Sequence, residues 1–127
     1  VIFIANGTGI APFLGMLSNN TLKDTHLFWG CRSRSSANIY SSMGLDLQTL
    51  AHRSYISYSR ENKKYVQDLV REESILLLDM LNGGAIIFIC GSINMQNEVL
   101  KVLRQIIPQG HCISDYQKNG QIKIDCY

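Results

Sequence analysis

The chain has 127 residues, 46% of them hydrophobic and 17% charged, and 12 basic against 10 acidic side chains leave a net charge of +2. That length suits one domain with enough chain for a buried core, and that composition is ordinary for a globular fold. So small a net charge makes no electrostatic case for nucleic acid, and no apolar run approaches the ~20 residues of a membrane-spanning helix.

Residues 1–5, VIFIA, are β-branched and aromatic, as a buried strand should be. A turn with Gly7 and Gly9 follows, then a helix over residues 10–17, with Pro12 tolerated in its first turn. Residues 26–31, HLFWGC, are the second strand. Residues 37–50 read as irregular or briefly helical, broken by Gly44. Residues 53–59, RSYISYS, are the third strand. Residues 65–81 carry apolar side chains at helical spacing in two pieces, stopped by Gly83 and Gly84. Residues 85–90, AIIFIC, are the fourth and most buried strand. An amphipathic helix over residues 94–107 ends at Pro108; a loop runs to Gly120, and residues 121–125 form a last short strand.

Strands alternating with helices predict an α/β fold: an open, doubly wound, parallel five-stranded sheet with helices on both faces. Such sheets bind ligands at the carboxyl ends of their strands. Those ends are Ala5-Asn6-Gly7, Cys31-Arg32, Ser59-Arg60, Cys90-Gly91 and Asp125-Cys126-Tyr127. Cys31, Cys90, Cys112 and Cys126 include no Cys-x-x-Cys pair, so no metal site is expected. A domain of this size does not depend on disulfides. The four read as thiols of a reducing compartment, which places the protein in the cytoplasm or on the cytoplasmic face of a membrane.

The first turn suits an anion, because Gly7 and Gly9 admit a ligand close to the main chain and the following helix directs N–H groups at it. Pro12 stands where the dinucleotide fingerprint has its third glycine, so an empty strand-to-helix turn fits as well. Around Cys31, the acidic residue of an NAD site is missing and Arg32 and Arg34 stand there instead. A phosphorylated ribose and a solvated surface both fit that substitution. The third strand end gathers Ser59, Arg60, Lys63, Lys64 and Tyr65, a hydroxyl, a guanidinium fork, ammonium groups and a ring face that suit a phosphate monoester beside adenine. A solvated basic helix start is the plain alternative.

Gly7-Thr8-Gly9-Ile10-Ala11-Pro12-Phe13, Gly30-Cys31-Arg32, Ser59-Arg60 with Lys63-Lys64-Tyr65-Val66-Gln67, and Cys90-Gly91 followed by Asn94-Met95 occur in one order. This series resembles the Rossmann-like NADP-binding domain of the ferredoxin–NADP reductase family, closest to its diflavin branch, and covers essentially the whole chain. The resemblance implies that residues 1–127 are the NADP(H)-binding domain of a larger flavoprotein. A FAD-binding domain would precede Val1. The parent enzyme would move hydride from NADPH to FAD and pass single electrons to an FMN domain, haem or an iron–sulfur protein.

The resemblance also assigns roles. Gly7, Thr8 and Gly9 would hold the pyrophosphate, with Thr8 also near the nicotinamide. Arg32 would line the nucleotide channel, with Gly91 and Met95 also at the cofactor. Ser59, Arg60 and Lys63 would grip the 2′-phosphate, and Tyr65 would lie near the adenosine. Cys90 would position the nicotinamide, Asp125 would support hydride transfer electrostatically, and Tyr127 would lie on the flavin until nicotinamide displaces it. Two departures stand out. Ser92 occupies a position where the diflavin pattern has an acidic residue, and the chain ends on Tyr127 rather than Trp. A non-catalytic nucleotide-binding module and an NADH-dependent reductase of the same superfamily are the alternatives.

Overall fold

Ile2, Phe3, Ile4 and Ala5 are all fully buried, yet they serve two different cores. Ile2 and Ile4 pack with Val66, Val70, Leu77, Val99 and Leu103. Phe3 and Ala5 pack with Ile10, Phe13, Leu17 and Trp29. A strand that is apolar on both faces belongs in the middle of a covered parallel sheet. In the computed structural model, which describes residues 1–18, 24–44 and 46–127 with no side-chain description for Leu47 and Gln48, β1 (Ile2–Asn6) is that middle strand.

The others are β2 (His26–Cys31), β3 (Arg53–Tyr58), β4 (Ile87–Gly91) and β5 (Ile122–Cys126), in the order β3-β2-β1-β4-β5. Every pairing is parallel, with Asn6 opposite Gly30, Ala5 opposite Cys90, Cys31 opposite Tyr58 and Cys90 opposite Asp125. The chain leaves β1 toward β2 on one side and returns to β4 on the other. That reversal opens a crevice at the carboxyl ends of β1 and β4, where ligands of doubly wound sheets bind.

Eight helices are described: α1 (Ala11–Ser18), α2 (Arg34–Ser42), α3 (Leu47–Leu50), α4 (Ser59–Asn62), α5 (Val66–Glu72), α6 (Ser74–Asn82), α7 (Ile93–Ile106) and α8 (Ile113–Lys118). A 3₁₀ turn, Gly7–Ile10, joins β1 to α1. Helices α5 to α8 cover the face that holds Ile4 and Ile89. Phe13 and Leu17 of α1, with Ala37 and Tyr40 of α2 and Leu50 of α3, cover the face that holds Phe3 and Trp29. There the Phe3 ring lies 4.8 Å from Phe13 and 5.6 Å from Phe88, and Tyr40 meets Trp29 edge-on at 5.5 Å.

Three expectations change. The loop after Pro108 contains α8, whose Cys112 N–H donates to Asp115 Oδ2 at 3.1 Å, and whose Ile113 and Tyr116 are buried one turn apart. Residues 37–50 are more regular than expected: α2 begins at Arg34, and only Leu45 lies outside the described residues. The third strand stops at Tyr58, because Ser59 already opens α4. Among the described residues no helix is long and apolar enough to cross a membrane, and no cluster of His, Cys, Asp or Glu could hold a metal ion.

Candidate functional site

Both glycine turns at the crevice are forced by close approach. A Cβ on Gly9 would strike the Cys90 carbonyl oxygen, which is backbone and cannot swing away. Gly91 has φ +148, and a Cβ there would run into Asn6 Oδ1. So the main chain after β1 lies against the main chain ending β4. Gly7, at φ +52, directs its carbonyl to the Trp29 indole N–H at 2.9 Å, which anchors the turn to the core beneath.

Asn6 joins the two turns. Its Oδ1 accepts from the Ser92 N–H at 3.0 Å and its Nδ2 donates to Ser92 Oγ at 3.2 Å. Ser92 in turn N-caps α7, accepting from the Met95 N–H at 3.2 Å.

A cleft of about 420 Å³ opens beside this junction. One wall is Asn6, Gly7, Ser92, Asn94, Met95 and Glu98; across it lie Gly30, Cys31, Arg32, Ser59, Lys64, Tyr65, Val66 and Gln67. Gly30 lets the start of α5 pack close to β2, since a Cβ there would press on Val66 at 3.2 Å. On the far wall the Arg60 N–H donates to the Arg32 carbonyl at 2.9 Å, which fastens the start of α4 to the end of β2. Lys63 caps α4 in the left-handed region, φ +54, and turns the chain toward Tyr65, whose N–H donates to Asp68 Oδ2 at 2.9 Å. Tyr65 is 51% exposed, leaving a ring face for stacking.

The cations here are not equivalent. Arg34 is occupied, with its guanidinium 5.0 Å over the Tyr58 ring and Nε 3.5 Å from Glu61. Lys64 reaches Glu72 at 2.7 Å. Among the described residues the side chains of Arg32, Arg60 and Lys63 have no hydrogen-bond or ion-pair partner. Unpaired cations gathered at two neighbouring strand ends are what an anion of more than one charge requires.

The expected site residues therefore fall into two groups. Gly7, Arg32, Ser59, Tyr65 and Met95 line the cleft; Arg60 and Lys63 flank it in sequence. Thr8, Cys90, Asp125 and Tyr127 do not line it, and form a separate edge where β4 and β5 end. Gly9 and Gly91 lie between the groups as the packed turns. At that edge the Tyr127 hydroxyl is 2.8 Å from Thr8 Oγ1. Its N–H donates to the Gly91 carbonyl, and its carbonyl accepts from the Ile93 N–H.

Cys90 is buried, and burial pushes its thiol upward, with the Asp125 carboxylate adding to the effect. A thiol held neutral is no nucleophile. Cys31, Cys90, Cys112 and Cys126 are all free. Asn6, Ser92, Gln67, Asn94 and Glu98 line the cleft without having been given a role at the site, and Lys64, read as part of the basic cluster, lines it too. A serine immediately before the start of α7 was a readable cap signal; the part played by Asn6 was not, since its partner lies 86 residues away.

Residues 3–101 match the family described as the oxidoreductase NAD-binding domain. The chain belongs to that family. This NAD-binding domain is 34% identical over 128 residues to an NADPH–cytochrome P450 reductase of Aspergillus oryzae, aligned across 86% of the chain and 18% of the relative. It is 31% identical over 126 residues to NADPH oxidoreductase A of Dictyostelium discoideum, across 91% of the chain and 20% of the relative. The NAD-binding domain thus spans about a fifth of the curated relatives it matches. Its fold is that of ferredoxin–NADP⁺ reductase from Plasmodium falciparum, with a TM-score of 0.71 at 20% identity over 99% of this chain and 51% of the other. A variant of the same reductase, in complex with 2′P-AMP, superposes with a TM-score of 0.68 at 19% identity over 99% of this chain and 52% of the other.

Proposed function

We propose that the cleft binds NADP(H), selecting it over NAD(H) by the 2′-phosphate, and that residues 1–127 form the nucleotide-binding part of a flavoprotein reductase. The observation that carries this reading is the set of three unpaired cations, Arg32, Arg60 and Lys63, at the ends of β2 and β3. A phosphate monoester carries about −1.5 to −2 charges near neutral pH, which these side chains and the Ser59 hydroxyl can meet without breaking an existing ion pair. NADPH in the names of the curated relatives, and 2′P-AMP in the complex of the structural neighbour, support the same choice.

Bound there, the dinucleotide would supply a hydride, which a flavin carried by another domain would accept. This chain's own residues orient and stabilise. Tyr65 offers a face to the adenine. The Gly7–Gly9 turn brings backbone close to the pyrophosphate. The neutral Cys90 thiol gives the nicotinamide an uncharged surface. Asp125, opposite Cys90 in register, would supply a carboxylate near the nicotinamide, where it would stabilise positive charge developing on the ring more than it stabilises the ground state. Tyr127 covers the same edge until nicotinamide takes its place. A FAD-binding domain in the same parent chain, and an FMN domain, haem or iron–sulfur acceptor beyond it, complete the proposal. The cytoplasm, or the cytoplasmic face of a membrane, suits the four free thiols.

Calorimetric titration with NADP⁺ and with NAD⁺ tests the reading. NADP⁺ binding much tighter than NAD⁺ supports it; equal affinity for the two removes the 2′-phosphate assignment.

A further inference from the structure

Ser92 stands where the resemblance expects a carboxylate, and its hydrogen bonds fix what it can offer a ligand. Its N–H donates at 3.0 Å to Asn6, so the Asn6 atom facing that N–H is the carbonyl oxygen. The amide orientation therefore follows from a backbone donor and is not open to reversal. Asn6 Nδ2 must then be the group that donates to Ser92 Oγ, at 3.2 Å. The Met95 N–H donates to the same oxygen, also at 3.2 Å. A hydroxyl has two lone pairs and one proton. Both lone pairs of Ser92 are filled, and only the proton is left. The side chain is half-buried and lines the cleft beside Gly7.

We infer that Ser92 is a one-way hydrogen-bond donor to a pyrophosphate oxygen of the bound dinucleotide, held in that role by Asn6. The inference rests on the nucleotide reading above and adds a determinant to it. A carboxylate at this position could cap α7 equally well and would suit the helix dipole, but it would present only acceptors to the cleft. Serine reverses the polarity of the wall that adjoins the glycine turn. Glu98, the carboxylate that also lines this wall, sits further along α7, beyond its first turn. The first turn is thus the part of the wall that offers a donor to an anion.

The test compares two ligands by calorimetry on the 127-residue chain: NADP⁺, which has a pyrophosphate, and 2′P-AMP, which has none. Ser92→Asp keeps both acceptor functions and the cap while removing the donor, so its melting temperature should equal or exceed that of the unmodified chain. Its affinity for NADP⁺ should fall by about tenfold or more, the usual consequence of losing a charged hydrogen bond, and its affinity for 2′P-AMP should change less than about twofold. Ser92→Ala removes the same donor without adding charge and should weaken NADP⁺ by about tenfold, no more than Ser92→Asp does, again sparing 2′P-AMP. Ser92→Thr restores the hydroxyl and should restore NADP⁺ binding. If Ser92→Asp binds NADP⁺ as the unmodified chain does, Ser92 is a helix cap only and the inference fails. Equal weakening of both ligands by Ser92→Ala, with no recovery in Ser92→Thr, overturns it as well. An unmodified chain that binds neither ligand overturns the nucleotide reading itself, and the inference with it.

Discussion

Thr8 Oγ1 and the Tyr127 hydroxyl are 2.8 Å apart although 119 residues separate them in sequence. The bond closes the edge of the sheet from the first turn to the last residue. It is exposed, and Tyr127 is 68% exposed, so water competes for it and its net worth is about 0.5–1.5 kcal/mol. The backbone of Tyr127 is tied at both its N–H and its carbonyl, whereas the ring is held by a weak contact. Under the proposed function the ring would move aside for nicotinamide, and so weak a tether suits that motion.

Tyr127→Phe should therefore raise NADP⁺ affinity by roughly twofold to tenfold, the bond's worth converted to a binding ratio. Affinity for 2′P-AMP, which has no nicotinamide, should not change. Titration of both ligands against both proteins checks this; weaker NADP⁺ binding in the variant would mean that the hydroxyl serves the ligand instead.

Two glycines in neighbouring elements should respond to alanine with opposite signs. Gly9→Ala drives a Cβ into the Cys90 carbonyl and should destabilise the fold by about 1–3 kcal/mol. Gly15 lies within α1 with nothing within 4 Å of an added Cβ, so Gly15→Ala should stabilise by about 0.5–1 kcal/mol. Urea unfolding midpoints at fixed slope measure both.

The inner strands were legible because burial on both sheet faces requires apolar residues at successive positions, and β1 supplies Ile2, Phe3, Ile4 and Ala5. Helix α7 was legible because Met95, Val99, Val102 and Leu103 repeat along one face. Helix α2 was blurred for the opposite reason: it has no fully buried residue, so no apolar period marks it. Helix α8 rests on just Ile113 and Tyr116, and its N-cap position is a cysteine, which does not announce a helix start. The basic cluster at residues 59–65 could be read as a phosphate site from residue types alone. Which of its cations are free could not, because Glu61 and Glu72 engage Arg34 and Lys64 only through the fold. The clamp of Asn6 on Ser92 is a tertiary fact with no local signature.

Stability should depend on pH through Cys31. Burial pushes this thiol from an ordinary 9.0 up to about 11; a hydrogen bond with the Ser33 backbone opposes the rise and Glu61 adds to it. A pKa higher in the folded than in the unfolded state means that the native chain binds more protons between those values. The contribution is complete below pH 9 and is lost as pH rises through about 11. Urea midpoints should fall over that interval, and the fall should be shallower in Cys31→Ala, in which that proton is absent. Parallel curves for the two proteins would remove Cys31 as the cause.

Joined to a flavin domain, Asp125→Asn should lower kcat by about tenfold or more while changing KM for NADPH by less than about threefold, since the carboxylate acts on charge that develops only in the transition state. Steady-state kinetics separate the two effects. A rise in KM at constant kcat would make Asp125 a ground-state binding residue.

The central claim is that unpaired cations at the ends of β2 and β3 hold the 2′-phosphate. Calorimetric titration of Arg60→Ala with NADP⁺ and NAD⁺ tests it most directly. A charged hydrogen bond is worth about 1.5–3 kcal/mol, so NADP⁺ affinity should drop roughly ten- to a hundredfold while NAD⁺ affinity changes by less than about twofold. Equal losses for the two cofactors, or no loss for either, would contradict it.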